Sequence, residues 1–433
     1  MPHRHAAPGP SDNPVVPSPT TRRILTGVVV GCVAATLVGL LVLWPRGDEP
    51  AVTAEELGFA ELVPGTVTDA RLQPCSYSTP EQPADCDIVT VEVTGGPTEG
   101  DVARLEFPID AVGVTLRAGD RIVLNYVEDV PPDAPPEAQY QFADYQRRAP
   151  MVVLAVLFAA AVVLLGRLRG LAALGGLAVS VAVLLWFLLP AIVEGKSPVA
   201  VALVGAAAIA LVALYLAHGV NERTTVAVLG TLASLVLTGV LAAVFVAATN
   251  LTGLAGEETG YLRVFAADLD FRGLLLAGIV IGSLGVLDDV TVTQVSAVWE
   301  LFQVNPTRGG RSLYAAAIRI GRDHIASTVN TLVLAYAGAA LPLLLVFVVA
   351  ERSAGSVVTQ ETLAIEVVRT LVGSIGLVAS VPITTILAVL VVAGGRGKRA
   401  TQPRPPRRTP VAAPQKAKPK PAWDDFAPDD VEV

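Results

Sequence analysis

Charge is what this chain has least of. Only 16% of its 433 residues are charged and 52% are hydrophobic, whereas a soluble domain carries about 25% charged residues. Histidine is nearly missing too. Its four copies, at 3, 5, 218 and 324, are scattered and form no imidazole-rich metal site. The chain has no His-Glu-x-x-His, no Gly-x-x-x-x-Gly-Lys-Ser/Thr phosphate loop and no Gly-x-Ser-x-Gly elbow. The aspartate pair at 288–289 lacks the Gly-x-Gly-Asp setting of an intramembrane aspartyl protease. Catalysis, a bound cofactor and self-contained ATP-driven transport are therefore not expected, although a separate ATPase subunit stays compatible. With three cysteines the chain is no disulfide-rich scaffold.

What is present is apolar sequence in runs of a length that crosses a hydrocarbon core about 30 Å thick. The spacing predicts eight membrane helices: Ile24–Trp44, Met151–Leu165, Leu171–Pro190, Val199–Ala217, Thr225–Ala248, Gly273–Leu287, Ile325–Ala350 and Thr370–Ala393. The first is too long for a signal peptide and ends in Trp44-Pro45-Arg46, so it reads as an uncleaved anchor. Val29-Val-Gly-Cys32 loosely matches a lipoprotein cleavage box, but apolar residues continue past Cys32 where a lipoprotein turns polar. Residues 1–23, rich in Pro, His and Ser, and 394–433, Pro- and Lys-rich and then acidic, are expected to be disordered. The basic part of that tail can lie on anionic lipid or stay solvated without a partner.

Residues 45–146 differ in kind. They carry 20 acidic and 5 basic side chains, a net −15 in a chain of net −8, which leaves +7 for the rest. Short β-branched and alternating stretches at 67–72, 87–94, 101–107 and 119–127 are separated by turn clusters such as Gly95–Gly100. They predict a small all-β domain over 45–148, OB-like or a sandwich. Its acidity excludes nucleic acid as a partner, since it repels phosphates. Cys75 and Cys86 lie 11 apart within it. In an exported domain they can close a disulfide; metal binding and two free thiols are the competing readings, and no histidine accompanies them.

The positive-inside rule orders these pieces. An inside amino terminus puts Arg22/Arg23, Arg167/Arg169, Arg223, the linker 288–324 and Arg396/Lys398/Arg399 in the cytoplasm, and the acidic domain outside. Arg147-Arg148 is the exception. The chain is thus expected in a bacterial plasma membrane with both termini cytoplasmic, and a seven-helix membrane domain over 149–393.

Two polar stretches interrupt the apolar half. Asp288 and Asp289 follow a sixth helix that looks short for a crossing. Beyond them Asp289, Thr293, Ser296 and Glu300 share one helical face. Either residues 289–302 form an amphipathic helix on the inner leaflet, or the helix continues into the bundle and this face lines a hydrated path. In the second stretch Arg322, Asp323 and His324 sit at the mouth of the next helix, with Ser327, Asn330 and Thr331 on one face. These serve as interhelical hydrogen bonds or as a polar lining with Pro342 as hinge.

Gly285-Val-Leu-Asp-Asp-Val-Thr-Val-Thr-Gln294 with Ser296-Ala-Val-Trp-Glu-Leu301, then Ile320-Gly-Arg-Asp-His-Ile-Ala-Ser-Thr-Val-Asn-Thr-Leu-Val-Leu-Ala-Tyr-Ala-Gly338 and Leu341-Pro342, resemble the YibE/F-like membrane proteins of Gram-positive bacteria. The resemblance runs from about Met151 to Ala393, with the preceding β domain and its Asp144-Tyr145 exit. It implies a multipass plasma-membrane protein, often presumed a transporter, and brings no established catalytic residues. The expected function is that of a permease for a small solute or ion. The alternative is an accessory or regulatory membrane protein whose β domain binds a partner. Lipid, a membrane-protein partner or a second copy of the chain complete the expected partners.

Overall fold

The computed structural model describes residues 18–47, 61–109, 115–128, 130, 139–255, 259–260, 262–263, 268–350, 357 and 359–394. The two stretches expected to be disordered lie mostly outside these, at 1–17 and 395–433.

A first helix, α1 (Pro19–Leu43), starts at Ser18, whose hydroxyl accepts from the Thr21 amide. The β domain follows as one antiparallel sheet: β1 (Glu61–Pro74), β2 (Asp85–Val93), β3 (Val102–Pro108), β4 (Arg121–Tyr126) and β5 (Tyr140–Tyr145), in the order β3-β2-β1-β4-β5. The long β1 pairs on one edge with β2, over Gly65–Pro74, and on the other with β4, over Glu61–Thr66, and its register with β2 shifts at Val67/Asp69. A bulge of this kind increases local twist. The sheet curls until its two edges meet. Phe107 on β3 and Phe142 on β5 stand edge to face with centroids 5.8 Å apart, and Tyr140 Oη donates to Asp101 at 2.9 Å. The result is a half-barrel around Val63, Val67, Val89, Val91, Ile122 and Leu124, all essentially buried. One curled sheet agrees with the OB-like expectation and not with a sandwich. The strand absent from the sequence reading is β5, whose six residues follow a proline-rich stretch and lack β-branched side chains. Cys75 and Cys86 are joined in a disulfide that ties the end of β1 to the start of β2.

The membrane part continues with α2 (Arg148–Val183), which passes through a π-helical turn at Leu184–Leu188 into α3 (Leu189–Val193). Then come α4 (Pro198–His218), α5 (Glu222–Ala248), α6 (Phe271–Val304), α7 (Gly310–Ala339), α8 (Leu341–Val349) and α9 (Glu361–Gly394). Among the described residues six segments are long and apolar enough to cross a membrane, and a seventh if α7 and α8, bent by 60° at Ala340, count as one. The sequence predicts eight because it splits residues 148–193 in two. That segment is 46 residues long, about twice what one crossing needs. Its backbone does break where the split is predicted: Arg167 has φ 51° and ψ −131°. A Cβ on Gly170 would stand 2.2 Å from the Val162 carbonyl oxygen. Eight residues of straight helix would hold these positions about 12 Å apart, so the chain turns sharply on itself and needs glycine there.

α5, α6 and α9 pack against one another at the centre; α4 covers α6 and α2, α1 lies on α4, and α7 lies on α6 and α9. The stretch expected as a cytoplasmic linker, 288–324, is almost entirely helical, since only 305–309 separate α6 from α7. The carboxylates do not end α6. Tertiary packing carries it through them, because Val290, Thr291, Gln294, Val295, Val298 and Trp299 beyond Asp288 are all buried.

Candidate functional site

Hydroxyls, the Gln294 amide and three ionisable groups, Asp288, Glu366 and Arg369, form a seam where α5, α6 and α9 meet. On α5, Thr231, Ser234 and Thr238 recur at intervals of three and four and are completely buried. Ser234 and Thr238 donate to carbonyls one turn back, at Gly230 and Ser234. Such back-bonding satisfies the hydroxyl proton and leaves an acceptor facing the neighbouring helix. The helices approach closely because glycine lies opposite these side chains. A Cβ on Gly376 of α9 would be 2.1 Å from Thr238 Oγ1, and one on Gly230 of α5 would be 2.5 Å from Thr384 Oγ1.

Along α6 the seam can be followed from end to end. Arg369 of α9 pairs with Glu366 at 2.6 Å, both half-buried, and its guanidinium lies over Gly278. Tyr336 of α7 points its hydroxyl at Gly282. Beside this cluster a groove of about 250 Å³ opens between α7, α8 and α9, lined by Tyr336, Leu344 and Glu366. Next comes Ser283, opposite Gly373, with the Ser374 hydroxyl buried and without a partner among the described residues. Asp288 follows. Its Oδ1 is enclosed and unpartnered among the described residues, and one turn on Thr291 meets Thr231 with 2.7 Å between hydroxyl oxygens. Gln294 closes the series by donating from Nε2 to the Ala317 carbonyl at 3.0 Å and Thr385 Oγ1 at 2.7 Å, so that it joins α6, α7 and α9.

Past Gln294 the seam abuts a cavity of about 590 Å³ lined by Arg169, His218, Asn221, Arg223, Thr224 and Ser296. Arg22 reaches Glu222 at 3.5 Å and Arg223 reaches Glu300 at 3.7 Å, so the basic turns gather at this end of the bundle. The opposite end is held by other polar ties. Glu194 accepts from the Gly47 amide at 2.5 Å and pairs with Lys196 at 2.9 Å, and Lys196 also donates to the Trp44 carbonyl. The hydrogen bond from Lys196, then that from Gly47, holds the Glu194 carboxyl below its usual range. Glu361 accepts from Thr252 and Gly253, which ties α9 to the loop after α5.

The residues singled out in the sequence divide on this frame. Asp288 faces the seam, and Ser296 lines the basic cavity. Asp289, Thr293 and Glu300 are exposed; Asp289 lies 3.8 Å from His324 Nε2, and Thr293 donates to the Asp289 carbonyl. Arg322, Asp323, Asn330 and Thr331 lie on the exposed side of α7. The buried polar edge of α6 is therefore Ser283, Asp288, Thr291 and Gln294, while 289, 293 and 300 point away from it.

Sequence reading passed over Glu366 and Arg369 because the last span was started at Thr370. An acid and a base three apart inside an apolar run was the available signal. It also passed over Thr231, Ser234 and Thr238, whose helical spacing was visible but whose direction was not. Among the described residues one group of metal-ligating side chains comes together, Cys75, Cys86 and Glu106, and the disulfide occupies both sulfurs.

A bundle of long apolar helices with a polar interior, joined to a half-barrel β domain between its first two helices, defines a polytopic membrane protein. Within that class the chain belongs to the YibE/F-like family, whose model matches residues 154–394, more than half its length. No curated protein and no solved structure matches it.

Proposed function

We propose that the chain is a permease for a small solute or ion, and that the route follows the α5–α6–α9 seam. The observation that carries this reading is Asp288: a carboxyl oxygen without a partner among the described residues, in the middle of a row of hydroxyls. Packing alone does not require it, since a buried polar group is ordinarily satisfied, and intramembrane carboxylates mark ion and proton pathways. Hydroxyl and amide oxygens spaced along α5 and α6 offer successive acceptors to a cation or a protonated solute. Glu366 and Arg369 stand toward one end and the cavity of Arg169 and Arg223 at the other.

Asp288→Asn keeps the shape and removes the charge. The variant inserts and accumulates as wild type does, yet shows the phenotype of deleting the gene. Asp288→Cys reacts with a membrane-impermeant thiol reagent, while a cysteine at exposed Phe158 on α2 does not. Wild-type behaviour of Asp288→Asn, Asp289→Asn and their double variant, with an inert cysteine at 288, removes the permeation reading.

In this proposal the basic end faces the cytoplasm and the β domain lies outside. A cysteine placed at Thr98 is then labelled in intact cells, and labelling only after permeabilisation reverses the orientation. The second reading, an accessory protein, draws on the half-barrel: Leu62, Leu72 and Val102 are 63%, 64% and 68% exposed. On that reading the β domain retains its partner and the Asp288 variants are silent.

A further inference from the structure

The outer side of α7 is built unlike the other outward surfaces of the bundle. Where α2 faces outward it shows Met151, Val153, Leu154, Leu157 and Phe158, each more than half exposed. α7 instead exposes Arg319, Asp323, Ser327, Asn330 and Thr331. None of Arg319, Asp323 and Asn330 has a hydrogen-bond or ion-pair partner among the described residues.

Asn330 is also deep. α5 begins at Glu222 and Arg223, which pair with charges on α1 and α6. Thr231, nine residues along α5, touches Thr291; Asp289 lies just beyond that level and faces His324 at 3.8 Å. Asn330 is six residues further along α7. At 1.5 Å per residue it stands roughly 25 Å from the level of Glu222. From the other end, Leu332 packs at Gly373, 12 residues into α9, which puts Asn330 roughly 20 Å from the level of Glu361. Both paths end near the middle of the hydrocarbon, where an exposed amide has no water to bond.

The outward positions have a period. Arg319, Asp323, Ala326, Asn330 and Val333, all exposed, follow one another at alternating intervals of four and three, the seam of two helices wound about each other with a left-handed supercoil. We propose that this seam is a homodimer interface, in which two copies of the chain pack their α7 helices together about a two-fold axis along the membrane normal. Three features select a second copy as the occupant. Copies inserted in the same direction bring residues of equal depth together, and an asparagine amide both donates and accepts, so Asn330 satisfies Asn330 of the other copy. Arg319 and Asp323 are one turn, about 6 Å, apart and opposite in sign, so the long Arg319 side chain of each copy reaches along the seam to the other copy's Asp323 carboxylate. Ala326, between these two levels, lets the backbones approach. Each copy keeps its own α5–α6–α9 seam, so the inference is independent of the permeation reading.

The test uses the full chain in native membranes, with Cys32→Ser as background and the disulfide intact. Ala326→Cys and Asn330→Cys, oxidised with copper phenanthroline, run as a strong dimer on a non-reducing gel, while Phe158→Cys does not. Arg319→Asp or Asp323→Arg alone weakens the dimer by placing like charges together, and the double exchange restores it, counted by single-molecule photobleaching in bilayers. Cross-linking at 326 and 330 no stronger than at 158 overturns the proposal. So does reaction of Asn330→Cys with a membrane-impermeant thiol reagent without cross-linking, which makes this face water-lined. A double exchange that stays monomeric overturns it as well.

Discussion

Gly376→Ala is the sharpest probe of the central seam. The added methyl carbon would stand 2.1 Å from Thr238 Oγ1, 3.2 Å from its Cβ and 3.3 Å from its Cγ2. The first distance is more than about 1 Å below the ~3.5 Å optimum for non-bonded heavy atoms. Thr238 has little freedom to yield. It is fully buried, and its hydroxyl is bonded to the Ser234 carbonyl at 2.8 Å. Rotating the side chain brings its own methyl into the same place, because a β-branched residue presents two heavy atoms at Cβ. The strain therefore passes to the α5–α9 contact, and overpacking of this kind costs about 1–3 kcal/mol. The alanine gain in helix propensity, about 1 kcal/mol, offsets part of it; because Thr238 cannot yield, the overpacking cost falls at the upper end of that range and the expected net loss is about 2 kcal/mol. Thermal unfolding of the purified protein in detergent, followed by the loss of far-UV helical circular dichroism, reads the change. Thr238→Ala in the same chain removes the opposing Oγ1 and restores most of the loss, whereas Thr238→Val, which keeps an atom there, does not. If Gly376→Ala is as stable as wild type, or if Thr238→Val rescues as well as Thr238→Ala, the close α5–α9 approach is wrong.

Two further outcomes are expected. The peptide spanning Cys75 and Cys86 carries a mass about 2 Da below its reduced form, the two hydrogens lost on oxidation, and Cys75→Ser/Cys86→Ser lowers β-domain stability by about 3 kcal/mol for a loop of this length; two thiols alkylated without reductant contradict both. Glu194, held below its usual range by Lys196 and the Gly47 amide, stabilises the α1 to α3–α4 junction above the carboxyl's unfolded value of 4.5, and that contribution is lost as pH falls through its lower folded value. Carboxyl NMR of the solubilised protein should find Glu194 titrating below 4.5 and moving up in Lys196→Ala; an unmoved titration in that variant removes the pairing.

Composition and run length alone determined that this is a polytopic membrane protein with an acidic β domain after its first helix. Both depend on one-dimensional quantities: a hydrocarbon core needs a minimum apolar length, and strands need alternation and turns. The polar motifs around Asp288 and His324 were equally legible, since a carboxylate among aliphatics stands out. Direction was not. Asp288 and Asp289 are adjacent, yet one faces α5 and the other lies exposed beside His324, because 100° of helical turn separates them and only the neighbours decide which side is inside. For the same reason the face 289/293/296/300 has the correct period but not the buried phase, and Glu366 with Arg369 lie inside a helix that begins at Glu361, ahead of its uninterrupted apolar run. The length of α6 was a tertiary matter too. Local sequence ends an apolar run at Leu287, but burial of Val290, Thr291, Gln294 and Val298 against α5, α7 and α9 offsets the cost of carrying two carboxylates along the helix. Closure of the half-barrel likewise waited on β5, whose place is set by Phe142 meeting Phe107 across 35 residues of chain, a contact no local pattern contains.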